Sequence, residues 1–250
     1  EPTITSLQHS RALHRFLATG RNVVIADSLY RIRPGFSPEG KLMFDLLPKK
    51  DPAVLPLLRS FGVEMQPAVV MDQRSYQLSV QAPGGSTRTF NAPFMTTTVP
   101  YTHNFKDFAG PSRGTLSFFE ATILKPARRT LEKLNLEWHT VVTSSEEVWT
   151  LPLVPTQLSE ADVAPTIFKP KQELAAMLKH ASKPFHGRML IFGSTSTFRN
   201  EDFFKQGLAT RPFVKLLGRT FLSAEELVKM RVDQHLPPPF EPTSAVTLTF

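Results

Sequence analysis

The sequence predicts an α/β protein, a mainly parallel sheet flanked by helices, with a β-rich insertion at about 73–125. Three observations carry this expectation. Twice, a helical pattern ends in glycine and runs into a short apolar strand that closes on aspartate: "TSLQHSRALHRFLATGRNVVIADS" and "DPAVLPLLRSFGVEMQPAVVMD". A third apolar run, "RMLIFG", has the look of a buried strand. Helix-then-strand repeated along a chain is the pattern of parallel sheets covered by helices.

The elements follow in order. In the first helix Thr5 or Ser6 can cap the start, Leu7, Leu13, Phe16 and Leu17 share a face, and Gly20 is the expected stop. "NVVIADS" is then a buried strand, followed by "RIRPGFSPEG", which its Pro and Gly content marks as a loop. Asp51-Pro52 announces a second helix, with Val54, Leu55, Leu58 and Phe61 as its apolar stripe and Gly62 as its end. "PAVVMD" is the second buried strand.

The middle changes character. "SYQLSVQ", the turn "APGGS" and "TRTFNA" alternate as a hairpin does. "PFMTTTVPYTHNFKDFAGPSRG" reads as irregular, "TLSFFEATIL" and "EWHTVVTSS" as strands, and the stretch around "ARRTLEKLN" as a short helix. In the last third, Leu174, Met177 and Leu178 of "KQELAAMLKHAS" fit helical spacing, and "SAEELVKMRVDQHL" has helical composition. One domain is expected over 1–235, with a Pro-rich tail at 236–250.

Composition excludes several functions. Apolar residues at 41% and charged residues at 20% suit a packed core and exclude a disordered chain. No cysteine is present, which removes disulfides, thiolate metal sites and cysteine nucleophiles. The net charge of +7 admits a polyanionic partner, yet the densest basic pieces, "KPARRTLEK" and "PKK", are short and interrupted, so a solvated basic surface is the plainer reading. No run approaches the roughly 18 apolar residues of a membrane span, and the start lacks a signal-peptide pattern. Glu1-Pro2 is expected to be a boundary rather than a natural initiator, with any anchor lying outside this stretch.

The stretch with most chemical promise is "GRMLIFGSTSTFRNEDFF", where Gly193 is followed by Ser194, Thr195, Ser196 and Thr197. A phosphate loop needs several glycines and usually a Lys at the helix start, and a hydrolase elbow needs Gly-x-Ser-x-Gly. Neither is met. As a strand end the run makes sense, because its hydroxyls can satisfy backbone groups. Strand-end polar residues can still converge beyond the carboxyl ends of a sheet, which makes Asp27, Ser28, Asp72 and Ser194 the candidate ligand-binding residues. No catalytic residue is assigned. His9, His14, His103, His139, His180, His186 and His235 are scattered without HxH or HExxH spacing, so no metal and no cofactor is expected. Glu146 and Glu147 in "SSEEVW" are adjacent, point apart and do not form an acid–base pair. Nucleic-acid motifs are absent, and nucleic acid is not an expected partner.

Four stretches in chain order carry a resemblance: "ALHRFLATGRNVVIADS", "LPLLRSFGVEMQPAVVMD", "VVTSSEEVW" and "GRMLIFGSTSTF". Together they resemble the extracytoplasmic domain of GldG-like, gliding-motility-type auxiliary subunits of ABC transporters. That domain is related in fold to class I glutamine amidotransferases without their catalytic residues. The resemblance implies a glutamine-amidotransferase-like or flavodoxin-like fold and a non-catalytic binding or scaffold role. It also implies an ABC-2-type permease and its ATPase as partners. The location implied is the extracytoplasmic, periplasmic face of the bacterial cytoplasmic membrane, with the spans outside this segment. Where the family carries Gly-Gly before the first strand this chain has Gly20-Arg21, and Ser194 stands where an Asp is usual. Two other readings remain open on the residues alone: a small-molecule hydrolase or transferase using Asp27, Ser28, Asp72 and Ser194, and a basic module for polyanions.

Overall fold

The computed structural model describes residues 7–50, 52, 54–81, 85–98, 115–183, 186–198, 210 and 213–214. The chain divides into two compact units, Glu1–Phe213 and Val214–Phe250, and every element named below belongs to the first. The expected helix "SAEELVKMRVDQHL", the Pro-rich tail and most of the irregular stretch after Thr98 lie outside the described residues.

The helices α1 (Leu7–Ala18), α2 (Val54–Ser60) and α3 (Arg128–Leu134) appear where they were expected. Gly62 closes α2 at φ +77°, with Leu131 of α3 packed 2.9 Å from where a Cβ would stand, so only glycine fits there. The three expected strands also form, as β1 (Val23–Ala26), β5 (Ala68–Asp72) and β14 (Met189–Phe192); β5 and β14 are largely buried as expected, whereas β1 is only half-buried, with Val24 exposed.

Their arrangement overturns the expected fold class. The described structure is 49% strand, in several small and mostly antiparallel sheets with three helices. The full strand order adds β2 (Tyr30–Phe36), β3 (Leu42–Pro48), β4 (Val63–Met65), β6 (Ser75–Gln81), β7 (Thr87–Thr98), β8 (Leu116–Phe119), β9 (Leu124–Pro126), β10 (Leu136–Thr143), β11 (Val148–Pro152), β12 (Thr156–Ser159) and β13 (Glu173–His180). The largest sheet runs β1-β14-β13-β10; smaller ones are β12-β3-β2, β6-β7-β8, β11-β5 and β4-β9. Only β1 with β14 is parallel among the described pairs. A glutamine-amidotransferase-like or flavodoxin-like sheet is therefore not what this chain builds.

Three local departures produce the difference. The segment expected as a helix, "KQELAAMLKHAS", is the strand β13, antiparallel to both β14 and β10. Its run Leu174–Leu178 is buried throughout. A short apolar run buried on both faces has no alternation to distinguish it from a helix, and the pairing outweighs alanine's helix propensity. Ala175 and Ala176 lie opposite Phe192 and Ile191, small against large.

The second departure is "RIRPGF", expected as loop, which is β2. Tyr30 and Ile32 point inward and Arg31 and Arg33 outward, and Pro34 is tolerated because β2 is the edge of its sheet. Third, β5 does not join β1 and β14; it pairs with β11 alone. The β-rich stretch expected as an insertion does form β6, β7 and β8, but among the described residues no mainly parallel α/β sheet exists for it to interrupt.

The core holds Tyr30, Phe44, Leu58, Phe61, Met71 and Trp149, each at 2% exposure or less. Tyr30 keeps its hydroxyl satisfied by donating to the Ala121 carbonyl at 2.9 Å, and burial pushes its pKa far up.

Candidate functional site

Because β14 is parallel to β1, and β13 is antiparallel to both β14 and β10, the strands β1, β14 and β10 all run the same way. Their carboxyl ends leave one edge of the sheet, spread over about 14 Å at the usual strand spacing. Asp27-Ser28 leaves β1, Gly193-Ser194 leaves β14 and Ser144-Ser145 leaves β10. Asp72, from the separate β5, is tied to that edge through Ser145. The four expected residues thus come to one edge of the sheet.

Each is already occupied. Asp27 Oδ1 accepts the Ser28 N–H at 2.8 Å and Lys49 Nζ at 2.6 Å. The Ser28 hydroxyl donates to the Tyr30 carbonyl at 2.9 Å. Asp72 Oδ1 accepts the Arg74 N–H at 2.9 Å and the Ser145 hydroxyl at 2.5 Å, while Oδ2 accepts the Ser145 N–H at 2.9 Å. Ser194 donates its hydroxyl to the Phe119 carbonyl at 2.6 Å and accepts the Ser196 N–H at 3.2 Å. Ser196 Oγ stands 2.8 Å from Ser194 Oγ and accepts the Phe119 N–H at 2.8 Å. Ser28, Asp72 and Ser194 have 0% exposure. A nucleophile needs a base within reach and a path for substrate, and the Ser28 and Ser194 hydroxyls donate instead to backbone carbonyls and are fully buried.

The run from Gly193 to Thr197 is a clasp that stitches β8 to β14. Gly193 is required because a Cβ would lie 2.0 Å from the Thr122 carbonyl oxygen, whose own N–H donates to the Gly193 carbonyl at 2.6 Å. Thr122 also accepts the Leu29 N–H on Oγ1 at 3.0 Å, joining the exits of β1 and β14.

Two concavities stand beside this framework. Asp72 and Trp149 form part of a cleft of about 280 Å³, with Gln73, Ser75, Asn91 and Glu160 on its walls. The buried Trp149 Nε1–H finds no hydrogen-bond partner among the described residues. A second pocket, of about 160 Å³, sits at the opposite edge of the sheet, by the starts of β10 and β14 and the end of β13. Leu17, Leu134, Leu136 and Leu178 wall it, and its polar groups are His14, His180, Lys183 and His186.

The imidazoles come from separate elements, α1, the end of β13 and the loop before β14. His14 stacks on Phe61 at 3.9 Å between ring centroids, and His180 lies 5.2 Å from His186. Burial holds His14 and His180 below the ordinary imidazole pKa, and His186 adds to both, with Lys183 adding to His180. His180 Nδ1 accepts the Ser182 N–H at 3.3 Å, and His186 Nδ1 faces the Gly187 carbonyl at 3.2 Å, so the hydrogen-bond pattern assigns the neutral proton to Nε2 in His180 and to Nδ1 in His186. Sequence reasoning missed this pocket because its histidines are scattered along the chain. The signal on offer was His14 inside an apolar helix face, one turn before Leu17. No group of three or more His, Asp or Glu among the described residues is placed to hold a metal ion.

Neither the curated proteins nor the solved structures contain a match to this chain. A family model does match, over residues 4–208, and its family is described as an ABC-type uncharacterized transport system. With that match spanning most of its length, the chain belongs to this family of auxiliary components of ABC-type transport systems.

Proposed function

We propose that the chain is a non-catalytic binding or scaffold domain of such an auxiliary subunit, of the gliding-motility type. It acts on the extracytoplasmic face of the bacterial cytoplasmic membrane, beside an ABC-2-type permease and its ATPase. Spans elsewhere in the protein hold it there in this reading; no helix among the described residues is long and apolar enough to cross a membrane. The observation that carries the reading is the family match, taken with the state of Asp27, Ser28, Asp72 and Ser194. All four are engaged in bonds that hold the sheet edge together. A hydrolase or transferase built on these four residues would need at least one of them free to meet substrate.

The test is affinity purification of the full-length protein from detergent-extracted membranes, with its stable partners identified by mass spectrometry. Recovery of an ABC ATPase and a permease supports the reading. Recovery of the protein with neither partner sinks it.

A further inference from the structure

We propose that the pocket between His14, His180 and His186 binds a small organic acid, an apolar body of about ring size carrying one carboxylate. A cavity of about 150 Å³ lined by apolar side chains accommodates benzene, and this one measures about 160 Å³. The apolar part of the ligand packs against Phe61 and Met189.

The head group follows from charge. Every ionisable residue lining the pocket is basic: His14 from α1, His180 from β13, and Lys183 and His186 from the loop. The parts of α3, β10 and β14 that line it are apolar. Glu137 of β10 is not among the lining residues, and its carboxylate is taken by Lys179 at 3.3 Å and His139 at 3.2 Å. All three imidazoles are half-buried, so each is reachable by a ligand and still partly shielded from water. A charge-assisted hydrogen bond in such a place is stronger than one in open solvent.

His14 and His180 are held below the ordinary imidazole pKa by burial, so in the free protein these two favour the neutral form and an entering carboxylate draws a proton to one of them. The bound anion and the imidazolium neutralise one another. Affinity therefore rises as pH falls. The inference concerns the pocket alone and stands or fails independently of the transport partners.

The experiment is calorimetric titration of the 250-residue chain with benzoate, with benzyl alcohol as a neutral probe of nearly the same shape, at about pH 6 and about pH 8. The expected result is benzoate binding at least about tenfold tighter than benzyl alcohol at the lower pH, weakening about tenfold at the higher one. Repeating the titration in two buffers of different ionisation heat should reveal proton uptake on binding. His186→Gln should weaken benzoate about tenfold while leaving benzyl alcohol unchanged. Equal binding of the two probes, no binding of benzoate at millimolar concentration, or binding without proton uptake would each overturn the proposal.

Discussion

Ser145 directs both of its donors at the carboxylate of Asp72, its backbone N–H to Oδ2 at 2.9 Å and its hydroxyl to Oδ1 at 2.5 Å. Asp72 has no exposure and also accepts the Arg74 N–H. The contact joins the end of β5 to the exit of β10, two strands that share no sheet. Asp72, named from the sequence as a candidate ligand-binding residue, is in three dimensions also a rivet between two sheets.

Removing that rivet should be costly. Asp72→Ala leaves three donors without an acceptor, and the expected loss is about 3 kcal/mol of unfolding free energy in urea titrations. Asp27→Ala should cost about 1 kcal/mol, because the Asp27–Lys49 pair is partly solvated. Equal effects at the two positions would refute the distinction.

The clasp after β14 makes a second comparison. Ser194→Ala removes the buried hydrogen bond to the Phe119 carbonyl and the contacts with the Ser196 N–H and hydroxyl, and should cost about 1–2 kcal/mol. Gly193→Ala should cost more, since its methyl group meets backbone rather than a flexible side chain. Thermal unfolding of the two variants side by side decides the order, and a more stable Gly193→Ala variant would contradict the close approach.

Thr96 offers a change in the other direction. Its buried Oγ1 has no hydrogen-bond partner among the described residues, near the end of β7, where valine is well suited to a strand. Thr96→Val should leave stability unchanged or raise it by up to about 1 kcal/mol. A clear drop in the unfolding midpoint would mean that the hydroxyl is bonded after all.

Acid should weaken the fold through its histidines. His14 and His180 sit below the ordinary value of 6.5, chiefly because burial disfavours their charged forms. The unfolded chain then binds more protons than the folded one between about pH 6.5 and the lowered values, so stability is full above that window and falls as pH drops through it. Urea midpoints should decline from about pH 7.5 to about pH 5.5, and the His14→Gln, His180→Gln double variant should decline less. A wild-type midpoint that does not move over this range would rule the effect out.

The broad family, auxiliary components of ABC-type transport systems, was legible in the sequence: four stretches in fixed order pointed to it, and the match over residues 4–208 spans all of them. The histidine pocket was not. His14 and His180 are separated by most of the chain, and nothing local marks either as a neighbour of His186.

What the sequence determined by itself is local. It placed the three helices, the strands β1, β5 and β14, the β6–β7 hairpin and the glycine that ends α2, since caps, glycine stops and alternation act over a few residues. Tertiary structure decided which strands meet and in what direction. "ELAAMLKH" is a strand flanked by β10 and β14, and with β5 paired to β11 instead of β1 or β14 it is one of the departures that replace the expected parallel sheet. The hydrogen-bond partners of Asp72 and Ser194 were decided in the same way, by Ser145 and Phe119, each more than seventy residues distant along the chain. Hydrogen-bond demand in a buried strand end is met by whatever the fold brings near, and local sequence does not encode that neighbour.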